Sequence, residues 1–210
     1  MNKNVSLDYI VTLSLKVETT GPQPEKDKIK AIAALPVYLS YERDRMRIPF
    51  YINFTKGLTL AYGRECFEQW WTRLDGHRKN NIICFDHRID YVFFRYWLGD
   101  DAFFDYFNDT GMDVLSVVKY LNERAILQGE DRPFLNLSLT SVCNALDIQR
   151  PARSDVLIEA DLSMEVYRKL LFIMPIAENT YWRSLKSRKE KQLIELKEKY
   201  KKEDENDLRA

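Results

Sequence analysis

The chain has 210 residues, of which 45% are hydrophobic and 30% charged, enough for one domain with a substantial core and too apolar for a disordered one. Its 32 basic and 32 acidic side chains give a formal net charge of +0, which gives no ground for bulk attraction to nucleic acid, so that any such surface must be a local patch. Cys66, Cys84 and Cys143 lie far apart with no Cys-x-x-Cys spacing, and His77 and His87 match no zinc pattern; Cys84 and Cys143, inside apolar runs, read as buried thiols of a reducing compartment. The N-terminus lacks a basic region followed by an apolar segment and cleavage site, and no apolar run approaches the roughly 18 residues of a membrane span. The expectation is an intracellular, cytoplasmic protein with no membrane partner, a nuclear location being left open.

In chain order, Asp8 to Leu15 alternates loosely in β-forming residues and predicts a first, central strand. Ile29–Val37 and Arg47–Phe54 predict two more, with the charged segment Tyr41–Arg47 as the turn between them; Pro36 and Pro49 limit where these strands can be interior. Three strands before any helix point to an antiparallel opening, not a doubly wound sheet. Gly63–Leu74 sets Phe67, Trp70, Trp71 and Leu74 at helical spacing, a core stripe that could alternatively stack on bases. A short strand at Asn81–Phe85, an aromatic-rich helix at Asp86–Leu98 and an acidic, Phe-rich connector at Asp100–Asp109 follow. Thr110–Leu121 and Ser138–Leu146 predict amphipathic helices joined by a loop with Gly129 and Pro133, and Asp155–Ile173 predicts a helix stopped near Pro175. From Glu178 the composition turns charged, with Leu193, Leu196 and Tyr200 as a thin apolar stripe. The predicted organisation is one domain over 1–177 and a charged helix and tail over 178–210.

The stretch richest in chemistry is Leu13-Ser14-Leu15-Lys16-Val17-Glu18-Thr19-Thr20-Gly21, an apolar strand that runs out into Lys-x-Glu and a Thr-Thr-Gly turn. It resembles the first motif, Asp-x-Glu-Thr-Thr-Gly, of the DnaQ-like (DEDDh) 3′–5′ exonucleases, with Lys16 where the family has its leading Asp. Ile82 to Phe94 is similar to the second motif, with Asp90 at its carboxylate position. Ala152 to Leu162 is similar to the third, with Ser154 at the histidine position and Glu159 at the last carboxylate. Leu139–Ile148 is similar to the helix that precedes that motif, and the whole resemblance spans residues 7–172.

The resemblance implies an RNase H-like α/β fold, a mixed central sheet of about five strands flanked by helices, with the C-terminal charged helix outside it. It also implies a cleft in which four carboxylates hold two divalent ions and a histidine acts as general base. Here Lys16 puts a positive charge where the dications would sit, and unit charges about 4 Å apart at an effective dielectric of about 20 interact by about 4 kcal/mol. Ser154 offers no base with a pKa near neutrality. The resulting expectation is a catalytically degenerate exonuclease-like module, without a metal cofactor, whose catalytic positions Glu18, Asp90 and Glu159 survive beside the degenerate Lys16 and Ser154. It would act by binding a protein partner through the C-terminal helix, or single-stranded nucleic acid at Lys16, Thr19 and Thr20. The alternative is an active 3′–5′ exonuclease with Mg2+ or Mn2+ on Glu18, Asp90 and Glu159, or with Asp86, Asp155 or Asp161 recruited in another register. A purely structural subunit is a third option. Plainer roles are open for each residue: Asp90 as an acid favoured at a helix N-terminus, Thr19 and Thr20 as turn caps, and 178–210 as a solvated helix. Lys16 itself would either neutralise the surviving acids or meet a phosphate.

Overall fold

Residues 10–38, 47–74, 79–109 and 111–173 are described by the structure, a computed structural model. The chain divides into two compact units, 1–167 and 168–210. The expected boundary at 177 and the charged helix 178–210 lie outside the described residues, as do most of the expected turn at 41–47 and the expected strand start at Asp8.

Period-two alternation in β1 (Ile10–Thr19) sends Leu13, Leu15 and Val17 to one face of the sheet and Ser14 and Lys16 to the other. β2 (Ile29–Tyr38) pairs antiparallel with β1, Leu15 opposite Ala34 and Lys16 opposite Ala33, and β3 (Phe50–Asn53) pairs antiparallel with β2. On the other side of β1, β4 (Asn81–Cys84) and then β5 (Met112–Asp113) pair in parallel, giving a five-stranded mixed sheet ordered β3-β2-β1-β4-β5. β1 is thus the central strand, and the antiparallel opening is present.

One face of the sheet is covered by α1 (Leu60–Arg73), α2 (Asp90–Leu98) and α3 (Asp100–Tyr106), whose Phe67, Trp71, Phe93, Phe94 and Phe103 join Leu13, Leu15, Val17 and Ile32 in the main core. Phe67 is its centre, edge-on to Phe50 and Phe94 at 5.2 Å each and stacked on Trp71 at 6.2 Å. The other face carries α6 (156–173), whose N-terminal turns pack Val156, Leu157 and Ala160 on Ala31, Ala33 and Leu35. Small side chains in β2 let that helix close on the sheet, and the buried Ser14 hydroxyl donates to the Ala160 carbonyl at 2.6 Å. In chain order α4 (Val114–Leu127) and α5 (Leu139–Ala145) come between α3 and α6, α5 being capped by Ser138, whose hydroxyl accepts from the Ser141 N–H. The helix 156–173 begins in the first unit and ends in the second.

Several predicted boundaries move. The Asp100–Asp109 connector is largely the helix α3, entered from α2 through Gly99 at φ 88°, where only glycine is unstrained. Alternation of acids and phenylalanines hid its helical period. α1 starts at Leu60, because Thr59 caps it by accepting from the Tyr62 N–H. β3 begins at Phe50, after Pro49, and the expected helices at 86 and 110 begin at Asp90 and Val114. The two-residue β5 was not foreseen, being too short to carry a pattern.

Candidate functional site

β4 pairs with β1 only from Thr12 to Ser14, so β1 runs on past its parallel neighbour with that edge open. The first turn of α2 fills the gap. Asp90 is fully buried there, and its Oδ1 accepts the Val17 N–H at 3.0 Å, satisfying a backbone donor that lies beyond the β4 pairing. Among the described residues its Oδ2 has no hydrogen-bond partner.

Lys16 reaches into the same place from the α6 side. Its Nζ lies 3.4 Å from Asp90 Oδ1 and 3.5 Å from Glu159 Oε2, so one ammonium bridges a carboxylate on α2 and one on α6. Burial opposes the ammonium charge, yet the Asp90 and Glu159 carboxylates together hold the Lys16 pKa above its ordinary value. Asp90 behaves in the opposite sense: burial pushes its carboxyl up to about 6, against the pull of Lys16 and of the Val17 N–H.

Glu18 does not join this group. It is 53% exposed and pairs with Lys30 at 3.5 Å. Between Glu18 opposite Ala31 and Thr19 opposite Ile29 the register slips, leaving Lys30 as the extra residue of a bulge beside Glu18. No signal in the sequence marks Lys30, since a bulge exists only once two strands are in register.

Thr19 donates its hydroxyl to the Gly21 carbonyl at 2.7 Å; the Thr20 hydroxyl accepts the Lys28 N–H at 2.9 Å and donates to Asp27, so both brace the β1–β2 loop. Ser154 is exposed in the segment before α6. Of the acids considered for another register, Asp86 chelates the Arg88 guanidinium, which lowers its pKa. Asp155 caps α6 by accepting the Ile158 N–H at 2.9 Å, and Asp161 is ion-paired with Arg47. The structure therefore brings together Lys16, Asp90 and Glu159, leaves Glu18, Thr19 and Thr20 on other partners, and leaves Ser154 exposed.

Two of the three carboxylates share an ammonium, the third is held by a second lysine, and among the described residues no group of three or more His, Cys, Asp or Glu side chains is placed to hold a metal. Trp71, which could have served as a stacking surface, is buried in the core. Trp70 packs on Phe50 and donates its indole N–H to the Ile48 carbonyl. Among the described residues no helix is long and apolar enough to cross a membrane. Compared with protein-family models and with curated proteins, the sequence matches none.

Proposed function

We propose that this chain is a catalytically degenerate exonuclease-like module on an RNase H-like fold, acting by binding, and binding a protein partner before nucleic acid. The single observation that carries the reading is the Lys16 bridge to Asp90 and Glu159, which places a cation where hydrolysis by two metal ions would need anionic ligands. Support for the fold comes from the mixed five-stranded sheet with an antiparallel opening and helices on both faces. Support for lost catalysis comes also from Asp86, Asp155 and Asp161, each engaged by a guanidinium or a helix N-terminus and so withheld from an alternative cluster. The charged segment 178–210 remains in this proposal as the partner-binding helix, and removing it before Lys186 should weaken association with that partner. An intracellular, cytoplasmic place of action belongs to the same reading, in keeping with three free cysteines, two of them buried.

Titration calorimetry of the full chain with Mg2+ and Mn2+, together with digestion assays on single-stranded DNA and RNA, tests the reading. The expected result is no saturable metal heat and no metal-dependent degradation. Degradation that survives purification and disappears in Glu18→Ala would overturn it.

A further inference from the structure

A second feature of the first unit lies apart from the groups above. A cavity of about 570 Å³ lies among the loop after β1, the turn before α1 and the outer side of α2. Its buried walls are Phe93 and Trp97, with Phe54 edge-on to Trp97 at 6.3 Å. Its rim is apolar as well: Leu58 is 42% exposed, Leu60 46% and Tyr96 59%. Isolated exposed leucines need no explanation, but leucines around an aromatic-walled hollow form a patch that water covers poorly.

The polar lining supplies the second half. Lys28 and Arg64 border the cavity, and among the described residues neither side chain is held by a carboxylate. The one acid in the lining, Asp27, accepts from the Gln23 N–H at 2.8 Å and from the Thr20 hydroxyl, neutral donors that hold it in place without removing its charge. Among the described residues the cavity thus presents an apolar interior beside two cations and one carboxylate, a lining of net positive charge.

We propose that this cavity is a docking site for a peptide that inserts one aromatic or leucine-like side chain and sets an acidic residue against Arg64 and Lys28. Its size suits one such side chain with its neighbour, and an aromatic-walled pocket with an adjacent arginine is the pattern of an energetic centre in protein interfaces. A nucleic-acid strand is the poorer occupant. Two cations match one or two carboxylates and not a run of phosphates, and the chain as a whole has a net charge of +0. This inference rests on the reading of the chain as a binding module and names its partner's chemistry.

Selection from a displayed random-peptide library on the intact chain tests it, followed by fluorescence anisotropy of the enriched peptides. Two variants serve as controls, Lys28→Glu with Arg64→Glu, and Leu60→Asp; all three positions are exposed, and circular dichroism verifies folding. The expected result is a consensus of an aromatic or leucine beside Asp or Glu, with binding weakened about tenfold or more in both variants. No enrichment, a consensus without the acid, or equal binding to wild type and variants would overturn the proposal. Oligothymidylate binding that is lost in the same variants, with no peptide enriched, would overturn it too and make the cavity a nucleic-acid site. These substitutions leave Lys16, Asp90 and Glu159 untouched, so failure here is distinct from a positive metal titration.

Discussion

Lys16 is a side chain on which three separate elements depend, because its ammonium compensates a carboxylate on α2 and one on α6 from a position on β1. Deleting one member of a buried pair leaves its partner charged and unsatisfied, at a cost of about 3–5 kcal/mol. Lys16→Met should therefore destabilise the fold by about that amount near neutral pH. The loss should be smaller near pH 5, where Asp90 can take up a proton. Asp90 supplies the complementary test. Its folded pKa of about 6 stands above the ordinary 3.8, so its contribution to stability is full below 3.8 and is lost as pH rises through about 6. Asp90→Asn cannot titrate, and its unfolding free energy in urea should lack the decline that wild type shows across that window. Parallel curves for the two proteins would show that Asp90 ionises as freely when folded as when unfolded.

The elements are held by a few over-determined contacts. α1 is fastened by Phe67, which meets Phe50, Phe94, Trp97 and Trp71 within 6.2 Å between ring centres. Phe67→Ala should cost about 3–5 kcal/mol, read as a lower denaturant midpoint with the slope retained. The loop after α4 has a different fastening: buried Asn122 donates to the Phe134 carbonyl at 2.7 Å and accepts the Phe134 N–H at 3.0 Å. Asn122→Ala strands both backbone groups and should cost about 1–3 kcal/mol, with faster amide exchange at Phe134 as its local signature. The helical spacing of Phe67, Trp70 and Trp71 made α1 legible in the sequence. The Asn122–Phe134 bridge was not, because a single polar residue on an amphipathic helix reads as surface until the loop folds over it.

At the scale of the whole molecule, the sheet delivers residues far apart in sequence to one end of β1 and then neutralises them. Removing the neutralising charge reverses that state. Lys16→Asp should be less stable than wild type without metal and should gain thermal midpoint on addition of Mn2+, whereas the wild-type midpoint stays unchanged. Binding to the folded state alone raises stability by mass action, so differential scanning fluorimetry across a Mn2+ series reads this directly. No midpoint change in a correctly folded Lys16→Asp chain would mean that Asp90 and Glu159 are wrongly disposed for metal even without the lysine.

The sequence by itself determined the class of the fold and the identity of the central strand, because alternation along Leu13–Val17 and the three-strand opening are local patterns that survive without a structure. It also marked Lys16, Asp90 and Glu159, through a resemblance carried by short motifs. What it could not contain was partnership. Glu18 and Lys16 lie two apart on one strand, yet the bulge at Lys30 draws Glu18 away while α2 and α6 claim Lys16. The cavity beside α2 was equally hidden, since Phe54, Leu60, Arg64 and Trp97 sit on three elements, and their convergence follows from how the helices pack on the sheet. Periodicity is a property of neighbours along the chain. Charge pairing and cavities are properties of neighbours in space, and only the tertiary structure decides those.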